Sequence, residues 1–147
     1  MASYYPPVGF HFKVEVLGLS ADSDMRFSEV SGLSVEIETE ELVEGGENRF
    51  VQKYPVRVKY PELILKRGLL VNSKIRDWIQ DCIDSIDISP KNIDIKLLNA
   101  SHEPLMTWHL VNAYPTKWNV SDLNATNNAV VIETLQFHYQ YFTLDQA

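Results

Sequence analysis

Apolar positions between residues 31 and 60 predict two strands around a charged loop. Val35 and Ile37 alternate with Glu36, Glu38 and Glu40, the period of a strand with one apolar and one wet face. The alternation then stops. Glu44-Gly45-Gly46-Glu47-Asn48 holds no apolar residue, and adjacent glycines take positive φ at little cost. Apolar character returns at Phe50 and Val51, after Arg49 and before Lys53, and residues 54–60 alternate again. The loop of residues 41–53 thus carries an aromatic and an aliphatic side chain among charges, as expected of a surface that meets another chain.

The flanking sequence predicts more strands and one helix. Phe10, Phe12, Val14 and Val16 share a face opposite His11, Lys13 and Glu15, which predicts a strand over residues 10–17. Residues 25–30 are expected to complete a hairpin with it. Residues 54–66 read as a strand broken at Pro61, where proline implies an edge or a bulge. Ile75, Trp78, Ile79, Cys82, Ile83 and Ile86 form one apolar stripe, predicting a helix over about residues 72–86 capped by Asn72 or Ser73. Strands are expected over residues 92–98 and 105–111, a short one over 117–120 after a break at residues 114–116, and a long one over 129–142. In that last strand Val130 and Ile132 are out of phase with Leu135 and Phe137, which suggests a bulge near Glu133 or Thr134. Residues 1–9, with two tyrosines and two prolines, read as an extended arm. The sum is a mainly β chain: an antiparallel β-sandwich or barrel of about eight strands with one packed α-helix. Residues 1–147 are expected to form one domain.

Charge and composition narrow the function. The 147 residues are 45% apolar with a formal charge of −7. This acidity argues against tight nucleic-acid binding, which rests on neutralising phosphates. With no basic and apolar leader and no apolar run of about 20 residues, neither a secretory signal nor a membrane anchor is expected. Cys82 is the only cysteine, so no intrachain disulfide can form. The histidines His11, His102, His109 and His138 show no metal-ligand spacing. No nucleophile elbow, phosphate loop or dinucleotide fingerprint is present. No catalytic, metal or cofactor residue is therefore expected. Trp78, Trp108 and Tyr139 fall on apolar faces and read as core rather than as a sugar- or base-stacking platform.

Several of these stretches also carry a resemblance. F-x-E-V-S-G-L at residues 27–33, E-x-E-T-E-E at 36–41, E-G-G-E-N at 44–48, L-K-R-G at 65–68, Trp78 on its helix and A-Y-P-T-K-W at 113–118 resemble the tail-tube proteins of contractile phages. The resemblance is close to the branch that builds the inner tube of bacterial contractile injection systems, related to the type VI secretion tube protein. Tyr54-Pro55 stands where the family pattern has Leu-Pro. The resemblance implies a non-enzymatic subunit that assembles with itself into hexameric rings, stacked as a hollow conduit for protein cargo. A contractile sheath, a baseplate and tube-cap proteins would be its other partners. Assembly in the bacterial cytoplasm would precede incorporation into an injection particle or virion tail. On this reading Glu36, Glu38, Glu40, Arg57 and Lys59 face the lumen. Glu44, Gly45, Gly46, Glu47, Asn48, Arg49, Phe50, Val51 and Lys53 form the contact between subunits, anchored by Phe50. The alternatives are a tube initiator at the baseplate, a phage tail tube for DNA passage and, from a different class, a carbohydrate-binding β-sandwich module.

Overall fold

The computed structural model describes residues 11–19, 26–42, 45–46, 51–126 and 130–146. Among them are nine strands and one helix: β1 (His11–Val16), β2 (Glu29–Ser31), β3 (Glu36–Leu42), β4 (Gln52–Lys59), β5 (Leu63–Gly68), α1 (Lys74–Ser85), β6 (Lys91–Leu98), β7 (Pro104–Val120), β8 (Ile132–His138) and β9 (Tyr141–Gln146). The architecture is mainly β and antiparallel, with a helix packed on the strands, as the alternation implied.

Seven strands form one sheet in the order β1-β6-β7-β8-β5-β2 plus β9, which pairs with β7 off that path. The long strand β7 organises it. Its first part, Met106 to Val111, lies between β6 and β9. Its second part, Tyr114 to Val120, pairs with β8. The handover falls at Asn112, whose φ of 53° is in the left-handed region that asparagine tolerates. Asn112 donates through its side chain to Gln140 Oε1 at 3.0 Å, and Gln140 N–H donates to Val111 O at 3.0 Å. Bend and strand break therefore lie side by side. Side chains from both parts then share one core: Val14, Val16, Ile93, Ile95 and Leu110 with Leu63, Leu65, Leu135 and Phe137.

Several expectations change. The long strand expected over residues 129–142 is two strands, β8 ending at His138 and β9 beginning at Tyr141 beside a different part of β7. Residues 114–116 do not break the chain into two strands; β7 runs through them with a register shift between Pro115 and Lys117. Nor does β8 have a bulge at Glu133 or Thr134; Val130 and Ile132 are out of phase because the inward position there is held by Glu133. It runs in unbroken register against β5, with Glu133 on the inner face beside Leu135 and Phe137. Finally, β2 is no hairpin partner of β1 but pairs with β5.

Ser73 caps α1, its hydroxyl accepting from Arg76 N–H at 3.1 Å. Ile75, Trp78, Ile79 and Cys82 are buried. Trp78 stacks on Phe137 with centroids 5.7 Å apart and donates its indole N–H to Ser89 O at 2.9 Å. Each such buried side chain contributes roughly 1.5–3 kcal/mol. The predicted stripe is too long by one turn. Ile83 and Ile86 are exposed, and Ile86 closes the helix in a left-handed conformation at φ 53°.

Candidate assembly surface

Strands β3 and β4 pair only with each other, as a separate two-stranded ribbon. Alternation makes each strand and the glycine pair turns the chain, with Gly46 at φ 92°. The register sets Ile37 against Val58 and Glu38 against Arg57. Thr39 then meets Pro55, leaving Val56 as an extra residue in a bulge. One face is charged. Glu38 Oε2 lies 3.1 Å from Arg57 Nε, and Glu38 Oε1 lies 3.9 Å from Lys59 Nζ. Ile37 and Val58 alternate out of this charged row onto the opposite face. Val35, Ile37, Val56 and Val58 are all more than half exposed. Three β-branched apolar side chains bared on one short ribbon, with Val35 just before it, are unusual for a chain that works alone.

The root of the ribbon is held by a close backbone approach. Gly32 has φ 93°, and a Cβ there would sit 2.2 Å from Glu62 O, so only glycine fits. Tyr139 donates its hydroxyl to Gly32 O at 3.4 Å. Tyr60, Tyr139 and Phe142 cluster with centroids 5.1–6.3 Å apart. Burial, with Tyr60 adding to it, pushes the Tyr139 phenol up to about 12.

Most of the expected interface and lumen residues in the described stretches are exposed. Glu36, Glu40, Arg57 and Lys59 are exposed and Glu38 is half-buried; Gly45, Gly46, Val51 and Lys53 are exposed at or near the turn. Glu44, Glu47, Asn48, Arg49 and Phe50 lie outside the described residues, as does the arm of residues 1–9.

One cluster escaped sequence reasoning. Glu133 is fully buried. Its Oε2 accepts from Arg67 Nε at 2.8 Å, and its Oε1 accepts from Arg76 Nε at 3.1 Å and from Trp118 Nε1 at 2.8 Å. Arg67 also donates to Ser73 Oγ at 2.8 Å, and its guanidinium lies 4.6 Å from the Phe27 ring centroid. Arg67 and Trp118 come from two of the motifs that carry the family resemblance and meet on this carboxylate, and Phe27, from a third, lies against Arg67. The signal was available: Glu133 is in phase with Leu135 and Phe137.

The histidines are not all scattered. His11 and His102 stack at 5.1 Å, and His109 Nδ1 lies 2.8 Å from Asp94 Oδ1. Among the described residues no group of three or more histidine, cysteine or carboxylate side chains is arranged to hold a metal. Nor is any helix long and apolar enough to cross a membrane.

A bent antiparallel sheet with one docked helix and a projecting ribbon is the architecture of a tail-tube subunit, and known proteins agree. The anti-feeding prophage baseplate, solved by cryo-electron microscopy with six-fold symmetry imposed, contains a chain 29% identical to this one. The match covers 99% of this chain and 98% of that one, with a TM-score of 0.85. A chain of the PVC sheath–tube complex, an extracellular contractile injection system in its extended state, is 27% identical over 98% and 94% of the two chains, with a TM-score of 0.82. Hcp1 from Flavobacterium johnsoniae shares the fold, with a TM-score of 0.55 and 12% identity over 93% of this chain and 96% of that one. No curated protein matches. Residues 8–143 match the family model of the T4-like virus tail tube protein gp19, and the chain belongs to that family.

Proposed function

We propose that this chain is a structural, non-enzymatic subunit of the inner tube of a contractile injection system, assembling into hexameric rings that stack as a hollow conduit for protein cargo. The carrying observation is the β3–β4 ribbon, whose apolar face is bare in one copy. A second copy of the chain covers it. The outer edges of β1 and β9 pair with no strand among the described residues, and a closed ring gives such edges partners.

Glu36, Glu38, Glu40, Arg57 and Lys59 line the lumen in this reading. Their mixed, hydrated surface lets cargo slide without sticking. The turn between β3 and β4, with Val51, Lys53 and Phe50, makes the contact between subunits. The sheath, baseplate and cap are its other partners, consistent with the assemblies in which its relatives were solved. Subunits assemble in the bacterial cytoplasm and leave it within the particle. Because one relative comes from a baseplate, a tube-initiating subunit is the second reading.

Ile37→Asp tests the proposal, with Phe50→Glu beside it for the turn. Each variant should keep the far-ultraviolet circular dichroism of the unaltered protein and yield no tubes in negative-stain micrographs. Tubes of normal length and number from Ile37→Asp would refute the role given to the ribbon.

A further inference from the structure

The polar face of β1, β6, β7 and β9 carries a row of charges, and one imidazole stands in it between two carboxylates. His109, on β7, has Nδ1 2.8 Å from Asp94 Oδ1 on β6 and Nε2 3.8 Å from Asp145 Oδ2 on β9. The register brings the three together. Asp94 lies directly opposite His109, and Asp145 reaches the ring from the diagonal position opposite Thr107. The other charges facing this row are engaged with one another. Glu15 of β1, opposite Asp94, lies 3.2 Å from Lys96 Nζ on β6 and 3.3 Å from Lys13 Nζ on its own strand.

Proton counting sets what the ring can do. A neutral imidazole has one N–H and one bare lone pair, whereas the imidazolium has two N–H groups. The 2.8 Å contact with Asp94 holds the proton of the neutral ring on Nδ1, because a lone pair facing a carboxylate at that distance is repelled. Nε2 then turns its own lone pair toward Asp145. Only the charged ring serves both carboxylates, and histidine is the side chain that changes charge between pH 5 and 8.

The far partner is the loosely held one. The Asp145 side chain is 74% exposed and has no other ion pair among the described residues. Its strand pairs only with β7. Phe142 packs against the core, but Thr143 to Gln146 are exposed. A strand end of this kind opens locally at small cost, so one ion pair changes how often it opens.

We infer that His109 is a proton-operated clasp: its imidazolium bridges Asp94 to Asp145 and pins the end of β9 to the sheet, and loss of the second proton releases that end. Pinning is strongest at acid pH and fades as pH rises. The outer edge of β9 is one that a ring would pair, so the clasp governs the order of that edge before a neighbour meets it. It operates whether or not the chain builds tubes.

Amide hydrogen exchange of the full chain at pH 5 and pH 8, corrected for intrinsic exchange rates, tests the clasp. Protection of residues 143–146 should be about two- to fivefold higher at pH 5, the range of an exposed ion pair, with β5 and β8 as internal references. Asp145→Asn should abolish the difference by lowering protection at pH 5. Asp94→Asn should shrink it from the other side, raising protection at pH 8, because the single proton is then free to sit on Nε2. Equal protection of residues 143–146 at both pH values in the unaltered protein would overturn the inference. So would a difference that survives Asp145→Asn, or an Asp94→Asn protein whose β9 is as open at pH 8 as the parent's. A change of equal size in β5 and β8 would place the effect in global stability and overturn it as well.

Discussion

Glu133 shows how much one buried charge can hold together. It ties β5 through Arg67, α1 through Arg76 and β7 through Trp118. Removing one member of a buried ionic cluster leaves the others unpaired and costs roughly 3–5 kcal/mol. Glu133→Ala should therefore lower the urea midpoint by that much stability, with the m-value unchanged. A loss under 1 kcal/mol in the same measurement would show that water replaces the carboxylate. Tyr139 sets an alkaline limit. Its phenol has an ordinary pKa of 10.0 and is pushed up to about 12 in the fold. The neutral form is the one the fold favours, so this contribution is complete below pH 10 and is lost as pH rises from about 10 to 12. The stability of Tyr139→Phe should fall less steeply across that window. Gly32 was legible as part of a family motif, but its reason was not. The clash with Glu62 O exists only once β2 and β5 are adjacent.

At the level of elements, alternation reported faces well and neighbours poorly. Val14 and Val16 in β1, and Ile93 and Ile95 in β6, are buried as their phase required. The partner of β2 was misread, because a period of two says which side is wet and nothing about which strand lies alongside. The bend in β7 was hidden for a related reason. Tyr114-Pro115 looks like a terminator, yet pairing with β8 on one flank carries the strand through it. In α1 the apolar stripe was read correctly up to Cys82, and its last turn outran the surface available to cover it. Trp78→Ala should cost about 3–5 kcal/mol in chemical denaturation, since a large stacked ring leaves a cavity. Ile83→Ser should stay within about 0.5 kcal/mol of the parent. Equal losses for the two would mean that the outer face of the helix is covered after all. The ribbon was legible as two strands and a turn, but residues 54–66 were read as one broken strand, whereas β4 belongs to the ribbon and β5 to the main sheet. That the ribbon stands apart from the main sheet was not legible, because separateness is a property of pairing.

At the level of the whole molecule, the chain has a sealed core and an unfinished exterior. The core is one cluster shared by both parts of the bent sheet and by α1. Among the described residues the outer edges of β1, β2 and β9 pair with no strand, and the aliphatic face of a ribbon is bare. Each of these is a cost to a monomer and a contact to an oligomer. Membership of the tail-tube family accounts for all of them together, whereas a free-standing binding module would be expected to cover its edges. The deciding observation is negative-stain electron microscopy of the purified, unaltered protein with the rotational symmetry of its particles counted. Six-fold rings, stacking into tubes as concentration rises, are the expected result. Particles that remain single copies at every concentration, or that close with a different symmetry, would contradict it.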